Sequence, residues 1–470
     1  MEQKRELIVI GAGPGGYPAA FLAADKGVET TLIDPEPNPG GVCLYRGCIP
    51  TKTLLHATKV LREAKELDKW GIEFSNPVIR PEVLKQTKDK VVQQITGGVG
   101  RLCKQRKIEY IQGKASFLNA ETLLVNTVEG EKKEISFKNA VIATGSSPAW
   151  IPGISTDSPN IITSKDALNI DTIPESMLVV GGGYIGLELG SFYATLGTQV
   201  SVVELLSSIL PGADSDLVRV FSQSTRRLFK EIMTGTKVVS IKANGESVSV
   251  SFENEKGSFE KEYSKVLITV GRKPNSENLG LENTKIKTDN RGFIVVNKYL
   301  QTEHENIFAI GDVIGGAMLA HKATHEGKAA VNNILGEKTE FRPSSIPAVL
   351  FTDPEVAWVG LTEKQASEKG IDYAVSRFQW GASGRAVTIG RIDGVTKLII
   401  DKKNDKIIGM GLVGYGAGEL ISEGALAIQM GATAHDIADT IHPHPTLSET
   451  VMEAAELYFG LCTHMYSVKK

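Results

Sequence analysis

Leu7-Ile-Val-Ile-Gly-Ala-Gly-Pro-Gly-Gly16 reads as a short apolar strand running into a glycine turn. The same pattern returns at Met177-Leu-Val-Val-Gly-Gly-Gly-Tyr-Ile-Gly186. An apolar-periodic, helix-like stretch follows each turn, to about Lys26 and about Leu196. A second strand ending in an acid then closes each unit, Thr31-Leu-Ile-Asp34 and Val200-Ser-Val-Val-Glu204. Strand, glycine turn, helix and strand make the βαβ unit that binds dinucleotides. Its glycines have separate tasks. Gly11 and Gly181 allow the tight turn, Gly13 and Gly183 let a pyrophosphate approach the backbone, and Gly16 and Gly186 let helix pack on strand. The helix N-terminus then offers unpaired N–H groups to the phosphates. One fingerprint alone is weak; two, each with an acid about 20 residues on, predict two dinucleotide-binding domains. Carboxylates at Asp34 and Glu204 suit ribose hydroxyls and repel a 2′-phosphate. No Lys or Arg follows Glu204 before Arg219, so the second unit is expected to prefer NAD over NADP.

Beyond about Ile346 the pattern changes to alternating apolar strands with two helical stretches and no glycine fingerprint, which predicts a third domain. The expected fold is α/β, two Rossmann-like domains followed by a C-terminal α+β domain. A length of 470 residues suits that count at about 150 residues per domain. The net charge of −3 gives no argument for nucleic acid or an anionic membrane surface. No apolar run reaches the ~18 residues that cross a bilayer. Four cysteines are too few for a disulfide-stapled secreted scaffold, and the charged leader runs directly into the first strand without a signal-peptide pattern. The expected location is the cytoplasm.

Two of the four cysteines stand five residues apart in Gly40-Gly-Val-Cys-Leu-Tyr-Arg-Gly-Cys-Ile-Pro-Thr-Lys52. Such a pair points to metal or redox chemistry, with two buried structural thiols as the plain alternative. No second Cys/His pair lies nearby to complete a closed zinc site. A disulfide needs Cα atoms roughly 4.4–6.8 Å apart, whereas five residues of regular helix rise about 7.5 Å. Closing the pair therefore requires a bend, for which Gly47 and Pro50 are suited. Cys103 and Cys462 are isolated and are expected to be inert thiols.

On these motifs the chain resembles the pyridine nucleotide-disulfide oxidoreductases, and within them the branch that oxidises dihydrolipoyl groups. The likeness runs from Leu7 to the C-terminus. It includes Gly40–Lys52, Ala143-Thr-Gly145, Gly181–Gly190, Val270-Gly-Arg272, Ile307-Phe-Ala-Ile-Gly-Asp312 and Leu319-Ala-His-Lys322. It continues through Thr352-Asp-Pro-Glu-Val-Ala-Trp-Val-Gly360 and His442-Pro-His-Pro-Thr-Leu-Ser-Glu449. The resemblance implies an FAD domain at 1–150 and 275–345, an NAD domain at 151–274 and a dimerisation domain at 346–470. It implies tightly bound, non-covalent FAD on Gly11, Gly13, Gly16, Asp34, Lys52, Ala115, Asp312 and Ala320. NAD would lie on Gly181, Gly183, Gly186, Glu204, Val238 and Gly271. Cys43 and Cys48 would form a redox disulfide, and Lys52 and Glu188 would pair beside the flavin. Tyr184 would either cover the flavin or be a core aromatic. The implied partners are lipoyl domains and E2 components of 2-oxo acid dehydrogenase complexes, the glycine-cleavage H protein and a second copy of the chain. One departure stands out: Tyr45 and Arg46 replace the Asn and small apolar residue usual in the family. Arg46 is expected to bring positive charge to the cysteines and lower a thiol pKa.

A thiol substrate with pKa near 8.5 needs a base. The resemblance implies His444 as that acid–base residue and Glu449 as the group orienting it, with His442 structural. Thr446-Leu-Ser-Glu449 also reads as a capping box, Thr446 at the N-cap and Glu449 at N3, and the histidine partnership is the favoured of the two roles.

Overall fold

The computed structural model describes residues 4–154 and 158–466. Arg5–Ile10 lies at the centre of the first sheet, parallel to Thr30–Asp34 on one side and Lys132–Ile142 on the other. Its last four residues are buried, because helices cover one face, where Leu7 and Val9 point, and an antiparallel meander covers the other, where Ile8 and Ile10 point. Glu109–Asn119 extends the sheet beyond Thr30–Asp34. Ile307–Ala309, arriving after the whole second unit, extends it beyond Lys132–Ile142. The chain thus winds away in both directions from Arg5–Ile10, and a crevice opens at the carboxyl ends of its central strands.

The second sheet repeats this plan. Ser176–Val180 is flanked in parallel by Gln199–Val203 and Lys265–Ile268, with Glu231–Met233 and Ile161–Thr163 at the edges. The likeness extends past the glycine turns. Each sheet carries a three-stranded antiparallel meander: Glu109–Asn119, Thr122–Thr127 and Lys132–Ile142 in the first, and Lys237–Asn244, Ser247–Asn254 and Gly257–Tyr263 in the second. Val248, Val250 and Phe252 alternate inward from the second meander and are fully buried.

The third sheet is antiparallel, in the order Ala348–Leu350, Glu355–Gly360, Lys406–Gly414, Val395–Asp401, Tyr373–Gln379. Two long helices, Ala417–Met430 and Glu449–Phe459, pack on it. Three further helices, Glu363–Glu368, Gly384–Thr388 and Ala434–Ala438, escape the sequence periodicity because each is only one to two turns long. Their signal is the cap: the Thr362, Ser383 and Thr433 side chains each accept a backbone N–H.

Gly11 and Gly181 have φ of +97° and +109°, the left-handed region that glycine alone enters freely. A Cβ on Gly16 would lie 1.8 Å from the Gly11 carbonyl oxygen, and one on Gly186 2.4 Å from that of Gly181. A Cβ on Gly183 would meet nothing within 4 Å. The two positions therefore separate packing from ligand approach. Gly186→Ala should cost about 1–3 kcal/mol of unfolding free energy through overpacking. Gly183→Ala should leave denaturant unfolding unchanged and weaken NAD binding, measured by titration.

Candidate active site

The acids at the two strand ends make the same hydrogen bonds. Asp34 accepts the Ala12 N–H at 2.7 Å and the Glu36 N–H at 3.0 Å. Glu204 accepts the Gly182 N–H at 2.7 Å and the Leu206 N–H at 2.8 Å. Each carboxylate thus ties its glycine turn to the loop leaving the next strand. Each still has lone pairs for a ribose, since an ionised carboxylate offers about four. Burial pushes the Asp34 carboxyl up despite its two N–H donors.

A cavity of about 660 Å³ runs from this first turn to the cysteine pair. Gly11, Gly13, Asp34, Lys52, Ala115, Asp312 and Ala320 line it, whereas Gly16 is packed beneath the turn. Cys43, Cys48, Glu188 and Tyr184 close its far end. Tyr184 is 37% exposed and so is no core aromatic; burial of its hydroxyl pushes it up to about 12. The cavity has glycine backbone and a carboxylate at one end, Asp312 on its wall, and a lysine and thiols at the other. That donor set fits FAD, from adenosine ribose through pyrophosphate to ring.

Asp312 is itself held. The Ser146 hydroxyl donates to its carboxylate, and Arg272 stands 3.6 Å from the same oxygen while donating to Ser146. Buried Glu326 accepts the Gly311 N–H at 2.8 Å and pairs with buried Lys322. The sequence reading missed these supports. The i, i+4 spacing of Lys322 and Glu326 was the one signal available for them.

Between the cysteines the chain breaks. Gly41–Arg46 and Cys48–Glu66 are separate helices, and Gly47 between them has φ −143° and ψ −112°, neither helical nor extended, where a Cβ would crowd Val42 O at 3.0 Å. Cys48 is therefore the first residue of a 19-residue helix, where the macrodipole favours a thiolate. The two thiols act on each other: the contact with Cys43, seconded by Lys52 one turn on, holds the Cys48 thiol down to about 7, while the same contact drives Cys43 far up. Arg46 does not take the part expected of it. It pairs with Glu36 at 2.5 Å and lies over the Tyr45 ring, while the Tyr45 hydroxyl donates to Asn38 O. Lys52 supplies the positive charge instead. Its ammonium bonds both oxygens of buried Glu188, at 2.9 and 2.7 Å, and Glu188 also accepts the Phe351 N–H from the third unit at 3.0 Å.

His444 and Glu449 lie outside this cavity. The His444 side chain is 70% exposed, and its Nδ1 meets Glu449 Oε1 at 2.8 Å. The other oxygen, Oε2, accepts the Thr446 N–H at 2.7 Å. The two roles weighed for Glu449 are thus shared between its two oxygens. The capping box is only half made: the helix begins at Glu449 itself, and the Thr446 hydroxyl donates to Pro443 O. Burial raises Glu449, but Thr446 and His444 outweigh it and hold the carboxyl low. The His442 side chain is 6% exposed and meets Glu423 and Thr440 O, a structural setting.

Gly181, Gly183, Glu204 and Gly271 lie apart from the cavity, beside exposed Leu205, Leu206 and Val270. Gly186 is packed under its turn, and the Val238 side chain packs into the core of its own unit, leaving its backbone for a ligand.

Residues 5–327 match the pyridine nucleotide-disulphide oxidoreductase family, and residues 346–455 match that family's dimerisation domain. The chain belongs to this family. Its cofactors are accordingly FAD and NAD(H), and the dimerisation domain supports a homodimer. The chain is 43% identical to a dihydrolipoyl dehydrogenase of Haemophilus influenzae, over 100% of this chain and 98% of the relative. It is 45% identical, with the same coverage, to one from Vibrio parahaemolyticus. Among solved structures it is similar to LpdA of Mycobacterium tuberculosis, with a TM-score of 0.90 at 26% identity. It is also similar to the Cu(II) complex of the HOCl-induced flavoprotein disulfide reductase RclA of Escherichia coli, with a TM-score of 0.86 at 29% identity. Each likeness covers 97% of this chain and 99% of the other. Among the described residues no helix is long and apolar enough to cross a membrane.

In the reduced protein, alkylation of Cys48 by iodoacetamide should rise with pH about a midpoint near 7, because the thiolate is the reacting form. Cys43, read separately by peptide mass spectrometry, should titrate well above it. Lys52→Met should move the Cys48 midpoint upward.

Proposed function

We propose that the chain catalyses the dihydrolipoyl dehydrogenase reaction, oxidising protein-bound dihydrolipoyl groups and reducing NAD⁺. The observation that carries this reading is the polarised thiol pair. Cys48, at a helix N-terminus beside Lys52, is built to be a stable thiolate, and Cys43 is not. In the oxidised enzyme the two form a disulfide. His444, with Nδ1 occupied by Glu449, presents Nε2 to solvent and takes a proton from one substrate thiol. That thiolate attacks Cys43 Sγ and expels Cys48 Sγ, the sulfur with the lower pKa and so the better leaving group. The second substrate sulfur closes on the first and expels Cys43, its proton ending on Cys43 Sγ, so that Cys43 is left as a thiol, Cys48 as a thiolate and one proton on His444. The products are a lipoyl disulfide and a reduced cysteine pair. FAD, when bound, relays that electron pair from the dithiol to NAD⁺. The Lys52–Glu188 pair fixes a positive charge beside Cys48 and the ring end of the cavity.

In this reading residues 1–150 and 275–345 form the FAD domain, 151–274 the NAD domain and 346–470 the interface domain. Asp34 and Glu204 hold the two riboses. His444 serves the Cys43 of the other subunit, because within one chain it lies outside the cavity that holds Cys43. Lipoyl domains of 2-oxo acid dehydrogenase complexes and the glycine-cleavage H protein are the proposed partners, and the cytoplasm the proposed location. The high identity to dihydrolipoyl dehydrogenases over the whole chain supports this choice of substrate.

Steady-state assays should show NAD⁺ reduction by dihydrolipoamide, with negligible turnover of glutathione disulfide by NADPH; the reverse preference would overturn the assignment. His444→Ala should slow the thiol half-reaction by about 10²–10⁴ and leave flavin reduction by NADH nearly unchanged. Mixing His444→Ala with Cys43→Ser protomers should restore up to one good site per heterodimer. No recovery in proven heterodimers would place both residues in one subunit's site.

A further inference from the structure

Away from the cavity, the end of the chain turns at Gly460 and brings Cys462 and His464 back onto the helix Glu449–Phe459. There they meet Glu453 and Glu456, which lie one turn apart on that helix. One ligand atom each from Glu453, Glu456 and Cys462 lies within 4.8 Å of the others. Cys462 Sγ donates to Glu453 Oε2 at 2.6 Å, and His464 Nδ1 meets Glu453 Oε1. Glu453 is only 3% exposed. Glu456 Oε2 is buried and has no hydrogen-bond partner among the described residues. A buried carboxylate oxygen left unpaired beside a second carboxylate is costly, and a cation between them would remove the cost.

We propose that Glu453, Glu456, Cys462 and His464 form a site for a divalent metal ion of the zinc class. Carboxylate, thiolate and imidazole are each ligand types that zinc takes, and four of them suit its tetrahedral geometry. Calcium and magnesium take oxygen ligands in larger number and have no use for a thiolate. Around a tetrahedral ion the donor atoms stand about 3.5 Å apart, given metal–ligand bonds of about 2.0–2.3 Å. The Cys462–Glu453 contact need open by only about 1 Å for that, and half-exposed His464 swings freely enough to follow. Burial and the hydrogen bond to Glu453 hold the Cys462 thiol up at about 12 without metal. Its proton passes to solvent when the ion binds, since a coordinating thiol is deprotonated outright. Glu449 lies one helical turn from Glu453 on the same helix, so the ion would sit close to the His444–Glu449 pair.

The test uses the oxidised holoenzyme, in which Cys43 and Cys48 are closed as a disulfide and cannot bind metal. Zn²⁺ is titrated against a chromophoric chelator, and the bound ion is examined by X-ray absorption at the zinc edge. One zinc per protomer with one sulfur in its shell is expected. Cys462→Ser, Glu456→Gln and His464→Ala should each weaken binding by about tenfold or more, since even outer-shell partners of a metal site are worth roughly 10–100-fold. All three positions are partly exposed, and circular dichroism with FAD content checks that each variant is folded. No stoichiometric zinc in the oxidised enzyme, a shell without sulfur, or wild-type affinity in folded Cys462→Ser and Glu456→Gln would overturn the site.

Discussion

A buried carboxylate with no partner cannot be kept charged in a protein interior. Glu188, 2% exposed, satisfies that constraint only through groups from two other parts of the chain. Lys52 reaches it from the first unit, and the Phe351 N–H from the third. Lys52 also lies 4.7 Å over the Phe351 ring, so its charge is held on a second side. The three units must therefore meet at one point before the Glu188 oxygens have their partners. That point lies at the thiol end of the FAD cavity, and the positive charge beside Cys48 depends on the same meeting.

The polarity of the thiol pair follows from this arrangement. Two cysteines on one continuous helix would feel similar fields. The break at Gly47 gives them different ones: Cys48 gains the helix N-terminus and Lys52, whereas Cys43 lies on the preceding short helix and its thiol is pushed up. Arg46, adjacent in sequence to the break, contributes little because Glu36 has claimed it. Distance along the chain is thus a poor guide to which cation tunes a thiol. Helix geometry is a better one, since Lys52 follows Cys48 by four residues and shares its face.

The legible part of the sequence was the part governed by local rules. A glycine turn between an apolar strand and a helix has few structural solutions, so both turns, their flanking elements and their acids could be read directly. The backbone duty of Asp34 and Glu204 was not legible, because each carboxylate bonds N–H groups that become its neighbours only when parallel strands pair. Glu449 showed a different limit. Capping and histidine contact were read as competitors, yet a carboxylate has two oxygens and the fold uses one for each. Ser146 and Glu326 went unread, and Arg272 was read only as the end of Val270-Gly-Arg272, for a plainer reason. They support Asp312 and Gly311 through contacts that depend on the third dimension, and apart from the Lys322–Glu326 spacing no local pattern marks them.

A meeting at Glu188 alone would leave the second unit free to rotate about it. A second junction removes that freedom. Lys397 of the third sheet, 1% exposed at its side chain, bonds Asp214 and Asp216 at the start of the second-unit helix Ser215–Ser224, and Glu363 of its own unit. Arg377 adds a second cation, to Asp216 and Glu363. Burial lowers the Lys397 ammonium, but three carboxylates more than reverse this and hold it charged. Without the lysine those carboxylates would repel one another, and breaking such a buried group by removing one member typically costs about 3–5 kcal/mol. Two anchors on different helices of the second unit, Tyr184–Thr195 and Ser215–Ser224, fix its orientation as well as its position. Orientation is what the chemistry needs, because reacting atoms in a productive complex stand about 3–3.5 Å apart. In the proposed reading, an NAD on the second glycine turn can meet that limit at the far end of the cavity only if the two sheets are rigidly registered. The buried charges at both junctions supply that register, which explains why charged groups stand where an apolar interface would be the simpler way to hold two units together.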